Sequence, residues 1–376
     1  MRPVWAEVDL GAVAANTAEL RSLVSPSRLC AVVKADAYGH GAVPVARAAI
    51  EGGADLLAVA LVAEGVELRT SGIDAQILVL SQASRDELDD LIAYGLDACV
   101  YTDSGIEDLS EAARRGQFDA EGTVGVHLKV DTGMRRVGAQ TSEALRLAEL
   151  IDKEPLLHLR SVFTHCAVAD DPDSDFTDVQ LDRFDEVLGE IAAAGIEVHA
   201  THAANTAAAI EHERARQSFV RIGIGLYGLA PSPALDGRAM LSPAMSLRAR
   251  VSHVKRVSGG EGISYGLKYR PGNDTTIATV PLGYADGLSR RYGEKGGTVL
   301  IGGRPRRIAG SVTMDQIMVD CGDDPVQVGD EVVLIGQQGD QELKASDWAR
   351  ILGTISYEVV CAISPRVPRR YKGDGQ

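Results

Sequence analysis

Between residues 28 and 228 eight short apolar runs recur, most of them separated by stretches rich in Ala, Glu, Leu and Arg. The runs read LCAVVKA, LLAVAL, QILVLS, DACVYT, VGVHLKV, LRSVFTH, EVHATHA and VRIGIGLYG. The stretches between them, such as LDRFDEVLGEIAAAG, carry apolar residues at helical spacing. Eight strand-then-helix units in about two hundred residues point to a (β/α)8 TIM-type barrel, with an open doubly wound sheet as the structural alternative.

The texture changes after Gly228. The runs AMLSPAMSLRARVSHVKRV, TTIATVPLGYADG, GGTVLIGG, RRIAGSV, QIMVDCG and DEVVLIG are strand-like and are separated by Gly, Asp, Pro and Asn. The expected organisation is an α/β barrel over 10–235 and a mostly β domain over 236–376. The N-terminal strand 1–9 is expected to join the β domain, PSPALDGR to be the join, and SDWARILG to be a helix near the end.

Composition narrows the function classes. With 376 residues, 45% of them hydrophobic, the chain can bury a large core. A formal net charge of −15 repels phosphate backbones and anionic lipid, which disfavours nucleic acid and membrane as partners. No apolar stretch is long enough to span a bilayer. MRPVWAEVDL lacks the basic-then-apolar pattern of a secretory signal, so a cytoplasmic location is expected. Cys30, Cys99, Cys166, Cys321 and Cys361 are scattered, odd in number and never in a CxxC pair. They read as small buried hydrophobes rather than as a disulfide framework or zinc site, and no metal is expected.

A barrel carries its functional residues at the C-terminal ends of its strands. Polar residues stand there on strand one (Lys34, Asp36, Tyr38), strand five (Lys129, Asp131), strand six (His165) and strand seven (His202, Asn205). Arg221 lies inside the eighth, followed by Gly223 and Gly225, whereas strands two to four end in bland residues. Closure of the barrel makes the polar set contiguous. Lys34 follows four apolar strand residues. It is either a rim lysine that snorkels to water or a desolvated amine suited to Schiff-base chemistry. Tyr38 and the glycines at 39 and 41 favour the second, because they offer a hydroxyl and close backbone approach beside the amine. The loops after strands seven and eight commonly hold phosphate in barrels, and here they contribute Asn205, Thr206, Gly223 and Ile224. A lysine opposite a phosphate cup is the layout pyridoxal phosphate needs.

The motifs VVKADAYGHG, KVDTGMRRVG, THCAVAD, HAANTAA, RIGIGLYG, ISYG, GYADG, TMDQIMVD, VGDEVVLIG and ISYEVVCAISPRVPRRY run in order along the chain. With them the sequence resembles the alanine racemases, nearly end to end. The resemblance implies an isomerase that interconverts L- and D-alanine with pyridoxal 5'-phosphate and supplies D-alanine for peptidoglycan. It implies that Lys34 holds the cofactor and acts as acid/base on one face, with Tyr265 as acid/base on the other. Arg221 would bond the pyridine nitrogen, and His165 would lie against the ring and link Arg221 to Tyr265. Tyr38, Asn205, Thr206, Gly223, Ile224 and Tyr357 would hold the phosphate. Arg136 and Met314 would meet the substrate carboxylate, Tyr284 would line the entrance, and Asp315 would be a close neighbour. Lys129 matches a position carbamylated in some relatives; the other reading is that it pairs with Asp131 or another carboxylate. A homodimer with shared active sites is implied as well.

Three departures stand out. Arg135 occupies a position where Gly is common, Thr313 one where Cys is frequent, and Thr206 one where Ser is frequent. The run LKYR after ISYG is bulkier and more basic than usual, which leaves substrate breadth open. The rival readings are a pyridoxal-phosphate-dependent amino-acid decarboxylase and a non-catalytic barrel that carries pyridoxal phosphate. The first calls for an acidic residue at the ring nitrogen, where this chain has Arg221. The second would lack the β domain and Tyr265.

Overall fold

The computed structural model of the chain describes residues 2–116 and 122–373. Its contacts divide into a barrel unit, Ala12–Ala37 with Ala42–Ser242, and a β unit, Met1–Gly11, Tyr38–Gly41 and Pro243–Gln376.

The first strand of the chain is β1 (Val4–Asp9) of the β unit. The barrel strands are β2 (Arg28–Val32), β3 (Leu56–Val59), β4 (Ile77–Val79), β5 (Ala98–Val100), β6 (Val124–Lys129), β7 (Leu157–Phe163), β8 (Ala200–His202) and β9 (Phe219–Ile222). They pair in parallel as β4-β3-β2-β9 and β5-β6-β7-β8. Two seams join these halves. At one, Val79 N donates to Asp97 O at 3.0 Å and Asp97 N to Ile77 O at 2.9 Å. At the other, Ser218 N donates to Thr201 O at 3.1 Å and Arg221 N to Ala204 O at 2.9 Å. The eight strands therefore close on themselves, the expected barrel rather than the open sheet. Residues in β3 to β6 and β9 are buried throughout, which is why these strands read as unbroken apolar runs.

In the β unit the strands are β10 (Met245–Arg250), β11 (His253–Val257), β12 (Thr275–Val280), β13 (Thr298–Ile301), β14 (Arg304–Arg307), β15 (Ile317–Asp320), β16 (Glu331–Gln338), β17 (Gln341–Leu343) and β18 (Arg369–Lys372). One sheet runs β14-β13-β16-β10-β1-β18 with β17 on β16, and a second runs β11-β12-β15. β1 lies antiparallel to β10 and parallel to β18, so the two ends of the chain share one sheet. The helix Ala345–Leu352 buries Trp348, whose Nε1 donates to Leu334 O at 3.1 Å and whose ring packs on Tyr292 at 4.7 Å. Two further helices, Arg290–Glu294 and Ser356–Cys361, lie outside the sequence expectation. At five and six residues they are too short to show a helical period.

Cysteine burial departs from expectation at one position. Cys30, Cys99, Cys166 and Cys321 are buried, whereas Cys361 is exposed because it ends the short helix Ser356–Cys361. Burial pushes the Cys30 and Cys99 thiols up to about 12, so neither is a thiolate at neutral pH. Among the described residues no helix is long and apolar enough to cross a membrane, and no cluster of His, Cys, Asp and Glu could hold a metal ion.

Asp286 is fully buried in the β unit and accepts from Arg2 (Nη1 at 3.1 Å) and from Gly283 N at 2.9 Å, with Arg366 at 3.6 Å. Removing one member of a buried ion pair strands the other charge. Arg2→Ala is therefore expected to lower the stability of the β unit by about 3 kcal/mol. Urea unfolding followed by tryptophan fluorescence reads this directly, since Trp5 and Trp348 both belong to that unit. An unchanged midpoint would mean that Arg366 suffices for Asp286.

Candidate active site

Lys34 leaves β2 into a turn of unusual hand. Ala35, Asp36, Ala37 and Tyr38 have φ of 51°, 52°, 51° and 54°. Each left-handed L-residue costs about 1–2 kcal/mol, so the turn must be held from outside. Glu64 holds its start by accepting from Ala35 N at 2.6 Å while also accepting from Ala60 N at 2.8 Å. Asp36 accepts from Ala42 N at 2.8 Å, and Ala37 N donates to Val33 O at 2.9 Å. Gly39 (φ 80°) continues the turn in the β unit, where a Cβ would lie 2.7 Å from Val360 O, so only glycine fits. Tyr38 and Tyr357 come together there with ring centroids 6.1 Å apart. Burial pushes the Tyr38 phenol well above its usual range, so it remains a hydroxyl.

The barrel rim gathers four cations around one imidazole. Arg221 is buried and donates from Nη2 to Thr164 O (2.8 Å), Ala203 O (3.0 Å) and His165 Nδ1 (3.1 Å), and from Nη1 to His202 Nδ1 (2.6 Å). A guanidinium only donates, so both Nδ1 atoms present lone pairs. Burial, then Arg221, Arg136, Lys129 and Lys34, push His165 well below the usual imidazole range, and it is neutral. Burial also pulls Arg221 down to about 10, which leaves it protonated at neutral pH. Lys129 falls to about 8 through burial and the nearby Arg221, Arg136 and Lys34. Its amine lies 5.6 Å over the Phe163 ring. The alternative pairing with Asp131 is not formed. Asp131 Oδ1 instead accepts from Gly133 N (2.9 Å) and Arg135 N (3.0 Å), which shapes the loop that carries Arg136. Arg135 has φ 57°, the left-handed geometry that explains why glycine is common at its position. Among the described residues no ion pair ties Lys129, Arg136 or Arg221 to a carboxylate, so this rim is built to receive anionic groups.

Beside it the loops after β8 and β9 meet. Asn205 caps the helix Thr206–Glu211 by accepting from Ala208 N at 3.0 Å, and its Nδ2 reaches Cys166 O at 3.3 Å. Thr206 Oγ1 accepts from Gly223 N at 3.0 Å, which ties the loops after β8 and β9 together. A Cβ on Gly225 would meet Thr206 Cγ2 at 2.9 Å and Leu20 Cδ1 at 3.0 Å, so close packing of the two loops requires glycine there. Asn205, Thr206, Gly223 and Ile224 are thus adjacent. A cup of this kind next to four cations, the half-buried Lys34 among them, fits a phosphorylated aromatic aldehyde.

The remaining candidates sit on exposed loops of the β unit. Tyr265 is 74% exposed, on a turn flanked by left-handed Ser264 (φ 63°) and Leu267 (φ 49°). Ser264 Oγ donates to Ser311 O at 2.7 Å and Ser311 Oγ to Tyr265 O at 3.2 Å. Tyr284 and Met314 are brought together, with Tyr284 N donating to Thr313 O at 2.9 Å and Ala285 N to Met314 O at 3.1 Å. Both are exposed. Asp315 is held by Arg366 at 2.7 Å. Sequence reasoning missed Glu64 as the anchor of the turn after Lys34; its only signal is a carboxylate in the first turn of the next-but-one helix.

Residues 8–231 match the model of the alanine racemase N-terminal domain, and residues 244–371 that of the C-terminal domain. The chain belongs to the alanine racemase family. It is 47% identical to the alanine racemase of Symbiobacterium thermophilum, over all of this chain and 98% of that protein. It is 45% identical to that of Desulforamulus reducens, over 99% of each. The crystal structure of alanine racemase from a D-cycloserine-producing Streptomyces lavendulae superposes with a TM-score of 0.93 at 39% identity, covering 99% of this chain and 98% of that one. The family is pyridoxal-phosphate-dependent, and the cup and rim of this barrel fit that group.

The depressed Lys129 amine makes a pH-dependent prediction. Its folded-state value lies below its ordinary one, so charging it opposes folding. That cost is full below pH about 8 and fades as the pH rises toward about 10.5. In carbonate-free buffer, Lys129→Met is expected to stabilise the protein by about 1–3 kcal/mol at pH 7 and by less at pH 10. Denaturant titrations at the two pH values check this, and an equal effect at both would refute the buried-charge account.

Proposed function

We propose that this chain interconverts L- and D-alanine by a two-base mechanism in which Lys34 and Tyr265 serve opposite faces of pyridoxal phosphate. The observation that carries the reading is the gathering of Lys34, Lys129, Arg136 and Arg221 around a neutral His165, next to the Asn205–Thr206 and Gly223–Ile224 cup. The barrel 10–235 and the β domain 236–376, with strand 1–9, are the functional domains of this reading, and the location is cytoplasmic.

When bound, pyridoxal phosphate supplies an electron-withdrawing ring that acidifies the Cα–H of an amino acid joined to it. Tyr38, Tyr357, Asn205, Thr206, Gly223 and Ile224 would hold the phosphate. Arg136 pairs with the substrate carboxylate as a two-point donor, with Met314 beside it. Tyr284 lines the entrance. The Lys34 Nζ takes or returns the Cα proton on one face, and the Tyr265 Oη does so on the other. Arg221 keeps its own proton and would donate to the ring nitrogen of the bound group, which would leave that nitrogen unprotonated and a weaker electron acceptor. Such restricted withdrawal would favour return of a proton over loss of CO2. Neutral His165 accepts from Arg221 at Nδ1 and leaves Nε2–H to orient Tyr265.

The decisive experiment is borohydride reduction of the yellow protein, with the label expected on Lys34, alongside a coupled assay for both alanine enantiomers. Tyr265→Ala is expected to abolish racemisation while retaining Cα-proton exchange from the one enantiomer that Lys34 serves. A colourless protein without bound pyridoxal phosphate, or equal loss of exchange from both enantiomers, sinks the two-base reading.

Carbamylation of Lys129 belongs to the same reading. An amine near pH 8 has the neutral fraction that reacts with CO2, and the resulting carbamate would turn a cation into an anion beside Arg136. Labelled bicarbonate should give a carbamate carbon signal in the wild type that is missing from Lys129→Met; its absence from both would refute the modification.

The assembly we propose is a homodimer with shared sites. Tyr265, Tyr284 and Met314 are exposed although two are aromatic and one is apolar, and a two-fold neighbour would cover them. Each site then combines Lys34 and the barrel residues of one subunit with Tyr265 of the other. Lys34→Ala and Tyr265→Ala proteins, each inactive alone, are mixed after partial denaturation. Random pairing makes about half the dimers mixed, each with one intact site, so roughly a quarter of wild-type activity should return. No recovery despite proven subunit exchange would place each site within one chain.

A further inference from the structure

Behind Arg221 a row of polar side chains crosses the barrel interior from its C-terminal rim to its N-terminal end. Arg221 Nη1 meets His202 Nδ1 at 2.6 Å, and His202 Nε2 meets Ser161 Oγ at 2.9 Å. Ser161 Oγ meets His127 Nδ1 at 2.5 Å, and His127 Nε2 meets Asp97 Oδ2 at 3.1 Å. Asp97 immediately precedes β5, Ser161 lies in β7 and His202 ends β8. All five residues are buried. Phe163 and Phe219 sandwich the His202 ring at 4.5 Å and 4.0 Å, which keeps water from replacing any link there.

The two ends determine the direction of every bond. Arg221 can only donate, so His202 Nδ1 is a lone pair and its single hydrogen sits on Nε2. That hydrogen goes to Ser161 Oγ. The serine hydroxyl then has its own hydrogen to give, and the acceptor within reach is His127 Nδ1. His127 in turn carries its hydrogen on Nε2 and donates to Asp97, an ionised carboxylate that can only accept. Four links take four hydrogens, all pointing from Arg221 toward Asp97. A head-to-tail row of this kind polarises cooperatively, and breaking one link weakens the others. Burying such a row is costly, and core packing alone does not explain it.

We propose that Asp97, His127, Ser161 and His202 are positioning residues for Arg221, holding its guanidinium in the orientation that the ring nitrogen of pyridoxal phosphate requires. The proposal rests on the assignment of Arg221 to that nitrogen. It extends the functional part of the barrel from the rim to a residue at the opposite end. Asp97 also accepts from Gln76 and lies 3.7 Å from Arg160 Nε, so its carboxylate is held in place from outside the row.

The test is a double-mutant cycle on the full-length protein with bound pyridoxal phosphate. Asp97→Asn keeps the shape and removes the charge; Ser161→Ala removes both central links with the loss of a single oxygen. Each is expected to lower kcat roughly tenfold with little change in KM for alanine, as loss of an outer hydrogen-bond partner does at other buried sites. The double variant should be no worse than either single one, because both break the same row. Histidine-selective nitrogen NMR supplies a readout that general loosening would not move. Asp97→Asn should shift the ring signal of His202 in the wild-type background and leave it unmoved in the Ser161→Ala background. The visible absorbance of the bound cofactor should change in both single variants. Additive kinetic effects, or an His202 signal that responds to Asp97→Asn with Ser161 already removed, overturn the proposal. So do unchanged kcat and absorbance in folded variants of a cofactor-loaded, active wild type. Absence of pyridoxal phosphate from the wild type instead overturns the reading of the site itself, and this proposal with it.

Discussion

A buried guanidinium sets the terms for the barrel. Removing the Arg221 charge from water is costly, and among the described residues no carboxylate offsets it. What holds it is a ring of fixed acceptors: the carbonyls of Thr164 and Ala203 and the lone pairs of His165 and His202. These come from the ends of β7 and β8, so the strand register of the barrel also determines where the guanidinium points. Its charge in turn helps keep both imidazoles neutral and helps lower the amine of Lys129, although burial is the larger cause for each. Rim chemistry and barrel closure are therefore one constraint seen from two sides.

A second constraint is the backbone around Lys34. Four consecutive non-glycine residues in left-handed geometry are rarely tolerated, and here Glu64, Asp36 and the fit of Gly39 against Val360 hold them. The effect is to turn the chain sharply at a residue whose amine must face a rim, while placing Tyr38 beside Tyr357. Strain of this kind persists only where its surroundings over-determine it. The β unit uses the same device on a smaller scale, with Ser264 and Leu267 left-handed on either side of Tyr265. Both proposed bases thus sit on strained turns, and in each case hydrogen bonds from distant residues hold the turn.

Much of the fold and half of the site were legible in the residues alone. Eight apolar runs could be counted because strands buried on both faces show no alternation, and the polar residues at their ends marked the rim. Lys34 and His165 stood out as polar residues where a strand should end, and Arg221 as a charge inside one. The helices Arg290–Glu294 and Ser356–Cys361 were illegible because one turn and a half has no period. Exposure of Cys361 followed from the second of these. Asp97, His127 and Ser161 gave only the faint signal of polar residues beside or inside short apolar runs, and nothing local indicates that they touch.

The sequence by itself determined the class of architecture, the rim of the barrel and the residue types available to it, because periodicity and strand-end position are local properties. Tertiary structure decided which of those residues meet and in what state. His165 and His202 are neutral because burial and cations from other strands surround them, and Lys129 loses half its grip on a proton near pH 8 for the same reason. The partners of Arg221 lie up to 57 positions away in the chain, and the left-handed path after Lys34 depends on a carboxylate 29 positions from the amide it accepts. Proton affinity depends on desolvation and on charges in space, and neither exists until the strands have closed.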